Sequence, residues 1–289
     1  MTKINGQTRI VGVIGDPVQH SRSPQMHNAA ILERKLDYVY VPFHVRSGEL
    51  QEAIEGFKAL NVLGVNVTIP HKQTVMSILD DVSHEATLIG AANTLIFCDG
   101  RVSGDNTDAQ GFLRAMTEEG IDIPVGGSAV VLGAGGAARA VVVALALSGL
   151  DLITIANRTG WKAIQFEKDL ATISETEISA VDLASNQLNL AIRSADLLVN
   201  TTSVGMQETD QLLIDPDFLN PGTIVYEIVY TPPETPLLRV AREKGCQTIG
   251  GIGMLVHQGA IAFEKWIGIV PNVETMRIAL KQALYQKKL

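Results

Sequence analysis

The stretch VVLGAGGAARA, Val130–Ala140, constrains the fold of this chain more than any other. It sets Gly133, Gly135 and Ala138 at the three spacings of a dinucleotide-binding fingerprint, after the apolar run Ser128–Leu132 and before the helical segment Gly135–Ser148. Each small residue has a physical task. Gly133 permits a tight turn, Gly135 lets the backbone approach a pyrophosphate, and Ala138 lets helix and strand pack closely. A further strand, Asp151–Ala156, completes a βαβ unit of about 30 residues. The helix N-terminus then turns its free amides and dipole toward phosphate. A tight strand-to-helix turn without any ligand is the competing reading, and the complete βαβ context weighs against it.

The residues after the second strand separate two cofactors. An NAD site usually places Asp or Glu there, to accept hydrogen bonds from the adenosine ribose. This chain has Asn157, Arg158 and Thr159 instead. Arginine is a bidentate partner for a 2′-phosphate, and no acid stands by to repel it, so NADP is favoured over NAD. Lys162 either adds a second positive charge or is a solvated surface lysine.

At 289 residues the chain exceeds what one hydrophobic core usually organises, and two domains are expected. Before Gly120, β-rich runs at Arg9–Ile14, Tyr38–Phe43, Val62–Thr68 and Thr94–Phe97 alternate with helical segments at Pro24–Lys35, Gly48–Leu60 and Lys72–Leu79. That alternation implies an α/β fold on a mainly parallel sheet. The linker-like Ile121–Gly127 then precedes the fingerprint, with further strands at Asp196–Asn200 and Thr223–Glu227. Helices follow at Met254–Trp266 and Val273–Tyr285, the latter with one apolar face of Val273, Met276, Leu280 and Leu284. The expected division is 1–120, a Rossmann-type domain at 121–253, and C-terminal helices at 254–289.

Other classes are disfavoured. A net charge of −8 without a basic cluster argues against nucleic acid, and no run approaches the roughly 20 apolar residues of a membrane span. The N-terminus has no secretory pattern, so the cytoplasm is expected. Cys98 and Cys246 are too few for a disulfide framework and read as core residues, and no metal spacing is found. His20, His27, His44, His84 and His257 read as structural, His71 is set aside from catalysis, and Trp161 and Trp266 read as packing residues. A homodimer stays open.

Polar residues also gather at strand ends of the first half, in GDPVQHSRSPQMH, NVTIPHK, GAANT and DNTDAQG. With the glycine turn and GMLVHQGAIAFEKW, these segments resemble the shikimate dehydrogenase family, in the same order and along essentially the whole chain. The resemblance implies reduction of 3-dehydroshikimate by NADPH in aromatic amino-acid biosynthesis, with Lys72 and Asp108 as the catalytic pair. The chemistry agrees, because hydride attack on a carbonyl leaves negative charge on oxygen that a cationic proton donor must meet. Taken alone, Lys72 reads as an exposed helix-start lysine and Asp108 as an N-cap; the resemblance reverses that.

By the same resemblance Ser21 and Ser23 bind the substrate carboxylate, since hydroxyls at i and i+2 of an extended segment share one side. Helix capping before Pro24 is the other reading. Asn66, Thr68, Asn93 and Asp108 pair with ring hydroxyls, although Asn66 and Thr68 alone would suit ordinary strand-end bonding. Gln258 closes the site, which returns the C-terminal helices to the first domain. Tyr230 either reaches the substrate edge or packs a turn. The cofactor set comprises Gly133, Ala134, Gly135, Gly136, Ala137, Asn157, Arg158, Thr159 and Lys162, then Thr201, Ser203 and Met206 in NTTSVGM near the nicotinamide, and Gly251 and Met254. One departure stands out: in YEIVYTPPETPLL, Glu227 occupies a place where aspartate is usual. Domain closure over the ligands is expected from the linker. Rival readings are a quinate dehydrogenase, often NAD-linked and disfavoured by Arg158; a folate-linked methylene dehydrogenase, which needs no serine pair; and a non-catalytic NADP sensor, which needs no complete substrate site.

Overall fold

The computed structural model describes residues 4–170, 175–207 and 209–285. They form two compact units, one drawn from the chain up to Gly111 and from Leu255 onward, the other from Phe112–Met254. Among the described residues no helix is long and apolar enough to cross a membrane.

The first unit is built on strands β1 (Arg9–Gly15), β2 (Tyr38–His44), β3 (Gly64–Val67), β4 (Asp81–Val82), β5 (Thr94–Cys98) and β6 (Arg101–Asp105), in the order β2-β1-β3-β5-β6-β4. Helices α1 (Ser23–Glu33), α2 (Leu50–Ala59), α3 (His71–Thr74), α4 (His84–Ile89) and α5 (Asp108–Glu118) belong to this stretch of chain. The expected helix Lys72–Leu79 is a single α turn followed by a 3₁₀ turn at Val75–Ile78. β1 lies parallel between β2 and β3, and β4 is parallel to β6, but β5 runs antiparallel to both β3 and β6. The reversal has a local cause. Asp99 and Gly100 have φ of 50° and 76°, the paired positive values of a type I′ turn, and so short a connection can only fold the strand back on itself. Cys98, expected in the core, sits beside this turn with its thiol exposed.

In the second unit the strands are β7 (Ser128–Leu132), β8 (Leu152–Asn157), β9 (Glu177–Asp182), β10 (Leu197–Asn200), β11 (Ile224–Glu227) and β12 (Gln247–Ile249). Their order is β12-β11-β10-β7-β8-β9, and every pairing is parallel. Helices α6 (Gly136–Leu147), α7 (Gly160–Leu170), α8 (Asn186–Ser194) and α9 (Pro236–Glu243) make the crossovers. Chain order reverses between β7 and β10, so the C-terminal ends of those two strands flank a topological switch point, where open α/β sheets take their ligands.

The chain leaves the first unit within α5 and returns near the start of α10 (Ile252–Ile267), followed by α11 (Val273–Tyr285). On one side of the first sheet Ile14, Val65, Val67, Leu95 and Val102 are buried with Ile54 and Phe57 of α2. On the other, α1 packs on α11, and Met26, Ile31, Met276 and Leu280 are buried. A Cβ on Gly64 would collide with Trp266, whose indole Nε1 donates to the Leu95 carbonyl at 2.9 Å.

His27 lies in this second layer, fully buried and stacked on Tyr40 at 4.2 Å between centroids and 6° between planes. Neither ring nitrogen has a partner among the described residues, and burial pushes the imidazole pKa down from 6.5 to about 3. The unfolded chain therefore takes up a proton below pH 6.5 that the folded chain refuses until about pH 3. Stability from this residue is complete above pH 6.5 and is lost as the pH falls through that window. Between pH 7 and 5 the urea midpoint of His27→Phe should gain on that of wild type as the pH falls, because the variant lacks this one loss.

Candidate active site

The polar cluster of the first unit is centred on Asn93, at the entrance to β5 and only 2% exposed. Its Nδ2 donates to Asp108 Oδ1 at 2.8 Å and to Thr107 Oγ1 at 3.0 Å, with Gln258 Oε1 at 3.4 Å. Its Oδ1 accepts from the Thr107 amide at 2.8 Å and from Thr94 Oγ1 at 2.9 Å. Asp108 is the first residue of α5, yet its own amide donates to Asn106 Oδ1 at 2.9 Å. Asn106 thus holds the backbone at the start of α5, and the Asp108 carboxylate is left for other partners.

The other carboxylate oxygen, Oδ2, accepts from Lys72 Nζ at 2.5 Å, with 16% of the lysine and 6% of the aspartate side chain exposed. Lys72 is fastened by its carbonyl, which accepts from the Ala92 amide at 2.8 Å. Gln258 on α10 reaches the group because α5 has a glycine at the contact: a Cβ on Gly111 would lie 2.7 Å from Gln258 Cβ. His71, next to the lysine, is buried and bonds the Val45 carbonyl through Nε2 at 2.7 Å.

Asn66, also buried, is largely engaged by the protein. Its Oδ1 accepts from the Tyr40 hydroxyl at 2.8 Å, and its Nδ2 donates to the Asn93 carbonyl and Thr94 Oγ1, both at 3.2 Å. Thr68 follows β3 and sets its methyl against Gly15, whose Cβ would come within 2.5 Å of it. Ser21 and Ser23 stand at the start of α1; Ser21 Oγ accepts from the Ser23 amide at 3.3 Å, and the N-cap residue, Arg22, provides no side-chain cap. Tyr40, Asn106 and Thr107 were not singled out from sequence. Thr107 and Asn106 lie inside DNTDAQG, and Tyr40 lies in the β-rich run Tyr38–Phe43, so the signal was present without a role attached.

In the second unit Gly133 has φ of 112°, and a Cβ on it would lie 2.7 Å from Thr201 Oγ1. Thr201 donates from both its amide, at 2.9 Å, and its hydroxyl, at 2.6 Å, to the Leu132 carbonyl, which joins the ends of β7 and β10. Gly135 is the N-cap of α6; no side chain caps the helix there, and a Cβ on it would meet nothing within 4 Å. Ala134 lies in the turn, Gly136 and Ala137 begin α6, and Ala138 is fully buried. Open space in front of uncapped amides fits a dinucleotide pyrophosphate.

At the end of β8, Asn157 Nδ2 donates to the Thr159 carbonyl at 3.0 Å and shapes the turn that follows, with Arg158 exposed. Lys162 Nζ lies 5.7 Å from the centroid of Trp161. Trp161 is 67% exposed, which corrects its reading as a packing residue. Helix α7 buries Ala163, Phe166 and Leu170, and two residues before Ala163 is the opposite face. Ser203 and Met206 are exposed on the loop after β10. Gly251 is needed for packing, since a Cβ would strike the Ile228 carbonyl, and Met254 is buried. Tyr230, half-buried, belongs to this unit.

A helix open to phosphate in one unit and a shielded lysine–carboxylate pair in the other define the class: a two-unit α/β oxidoreductase that works with a dinucleotide. Comparison with known proteins narrows it. Residues 13–95 match the profile of the shikimate dehydrogenase substrate binding domain, 125–209 that of shikimate / quinate 5-dehydrogenase, and 251–281 that of the shikimate 5′-dehydrogenase C-terminal domain. The shikimate dehydrogenase (NADP(+)) of Desulforamulus reducens is 44% identical over 96% of each chain. That of Methanopyrus kandleri is 45% identical over 97% of this chain and 98% of its own. The crystal structure of shikimate 5-dehydrogenase from Thermus thermophilus in complex with NADP(H) and shikimate has a TM-score of 0.85 at 36% identity, covering 96% of this chain and all of that one. The chain belongs to the shikimate dehydrogenase family.

The Asn93 network makes a stability prediction. Asn93→Ala leaves the Thr107 amide and one oxygen of Asp108 without a partner, so urea denaturation should show a loss of about 2–3 kcal/mol.

Proposed function

We propose that the chain catalyses the reversible NADPH-dependent reduction of 3-dehydroshikimate to shikimate, a step of aromatic amino-acid biosynthesis. The observation that carries the reading is the Lys72–Asp108 pair, set at 2.5 Å within a buried amide network in a chain that matches NADP-linked relatives over nearly its full length.

In this reading the first unit holds the ring acid. The Ser21 and Ser23 hydroxyls take its carboxylate, and Asn66, Thr68, Asn93, Asp108 and Gln258 take its hydroxyls. The open lone pair of Asn66 suits a hydroxyl donor, because both amide protons are already used. Such directional partners penalise a ligand that lacks the matching group. Tyr230 contributes at the substrate edge. Lys72 Nζ gives a proton to the ketone oxygen as charge develops there. Asp108 Oδ2 accepts from that same nitrogen, orients it, and shares in its return to the ammonium form.

The second unit holds NADP(H), which when bound supplies the hydride to the ring carbon or takes it back. Residues Gly133 to Ala137 and the first amides of α6 hold the pyrophosphate. Arg158, with Asn157, Thr159 and Lys162, holds the 2′-phosphate. Thr201, Ser203, Met206, Gly251 and Met254 serve the nicotinamide half.

Absorbance at the reduced-nicotinamide band, with shikimate or quinate against NADP or NAD, tests the reading directly. Rapid reduction with shikimate and NADP alone is expected; dominance of quinate or NAD overturns the substrate or the cofactor, and silence in all four with NADPH still bound points to a sensor. Lys72→Ala should lower kcat by about 10²–10⁴-fold with NADPH affinity unchanged, as loss of a general acid does. Turnover at the wild-type rate would remove Lys72 from the mechanism. Arg158→Ala should raise the KM for NADP by about tenfold to a hundredfold and leave that for NAD nearly unmoved, the scale of a lost charge-assisted contact.

A further inference from the structure

Glu227 is fully buried at the end of β11 and has no part in the proton chemistry above. Its Oε1 accepts from the Val229 amide at 3.0 Å and its Oε2 from the Thr235 hydroxyl at 3.2 Å, while Asn200 Nδ2 donates to both oxygens at 3.0 Å. Thr235 in turn caps α9, accepting from the Leu238 amide at 3.3 Å. The rest of the Asn200 amide serves the loop after β10. Nδ2 also donates to the Val204 carbonyl at 2.9 Å, and Oδ1 accepts from the Thr202 amide at 3.1 Å and hydroxyl at 2.8 Å. Gly205 closes over the carboxyl, where a Cβ would lie 3.4 Å from Oε2. The path of the loop therefore runs through Asn200 to one carboxyl group.

We propose that Glu227 is a positioning residue for cofactor binding: through Asn200 it holds the Asn200–Met206 loop in the shape that receives the nicotinamide half of NADP(H), with a grip that depends on its charge. This rests on the assignment of Thr201, Ser203 and Met206 to the cofactor. The groups that face Glu227 from β10, its loop and the turn before α9 are Asn200, Gly205, Val229 and Thr235, none of them ionisable. Asp210 reaches the same loop, accepting from the Gly205 and Gln207 amides at 2.8 and 3.1 Å, and Glu234 is paired with Arg242 at the surface.

Burial pushes the Glu227 carboxyl up from 4.5 to about 7, against the pull of its three donors. As a carboxylate it accepts from all of them. Once protonated, one oxygen becomes a donor, Asn200 keeps a single acceptor, and the Thr235 hydroxyl must turn. The loop loosens as the pH falls through about 7. Global stability moves the other way: a raised folded pKa gives stability that is complete below pH 4.5 and is lost as the pH rises through about 7. A purely structural role would follow stability, whereas a positioning role follows the opposite slope.

The test measures NADPH dissociation constants by nicotinamide fluorescence from pH 6 to 8.5 in wild type, Glu227→Gln and Glu227→Asp, with amide-exchange protection factors for residues 201–206 in the free protein. Wild-type affinity should weaken about threefold to tenfold from pH 8 to pH 6, the net scale of one ordinary hydrogen bond, and loop protection should fall with it. Glu227→Gln should bind weakly at pH 8 and lose that step; Glu227→Asp should restore it with weaker binding throughout. A folded Glu227→Gln with the wild-type profile overturns the proposal. Should that variant not fold, wild-type loop protection that stays level across pH 7 overturns it equally. Wild type that binds no NADPH at any pH defeats the cofactor reading, while the exchange data in the free protein still decide whether the carboxyl holds the loop.

Discussion

A lysine and an aspartate can be kept together away from water only if the oxygen not facing the lysine is also satisfied, and Asn93 meets that condition. Its amide group donates to Asp108 Oδ1 while its own oxygen is held by the Thr107 amide, so the network closes on the backbone of the segment that starts α5. Removing either member of a shielded ion pair leaves an uncompensated charge, which makes such a pair costly to keep and costly to break. The Lys72 carbonyl bonded to Ala92, the Asp108 amide bonded to Asn106 and the glycine that admits Gln258 all serve to hold two side chains 2.5 Å apart.

The second unit meets a different demand with similar economy. A dinucleotide site needs amides left unpaired at a helix start, and a helix start left unpaired is normally a defect. Here α6 carries that open start, while the strand ends on either side of the switch point are tied by the two Thr201 bonds to Leu132. The neighbouring loop is tied again through Asn200 to Glu227. Rigid surroundings and an open helix end are complementary parts of one site.

Much of this was legible in the chain. The βαβ unit could be read because its signals are local: an apolar run, glycines at fixed spacing and a helical period, all within thirty residues or so. Strand β7 and helix α11 have the limits read from sequence. The antiparallel hairpin of β5 and β6 was missed although Asp99-Gly100 is a strong turn signal, because α/β alternation elsewhere favoured parallel pairing. Asp108 was ambiguous, since a carboxylate at a helix start suits a cap as well as an ion pair, and only the three-dimensional place of Asn106 separates the two. Trp161 was misread because hydrophobicity says that a side chain prefers burial, and helix phase decides whether it obtains it. Glu227 was visible as a departure, but the reach of its extra methylene to Asn200, Val229 and Thr235 belongs to folded geometry.

The polarity of Asn93 carries a consequence for chemical ageing. Hydrolytic loss of its amide nitrogen would change the size of the side chain very little, yet it would replace the donor facing Asp108 with a second carboxylate. A second carboxylate there takes the donor away from Asp108 Oδ1 and sets a like charge against it in a shielded site. Deamidation at this single position would therefore disturb the Lys72–Asp108 pair through charge alone, with the size of the side chain almost unchanged.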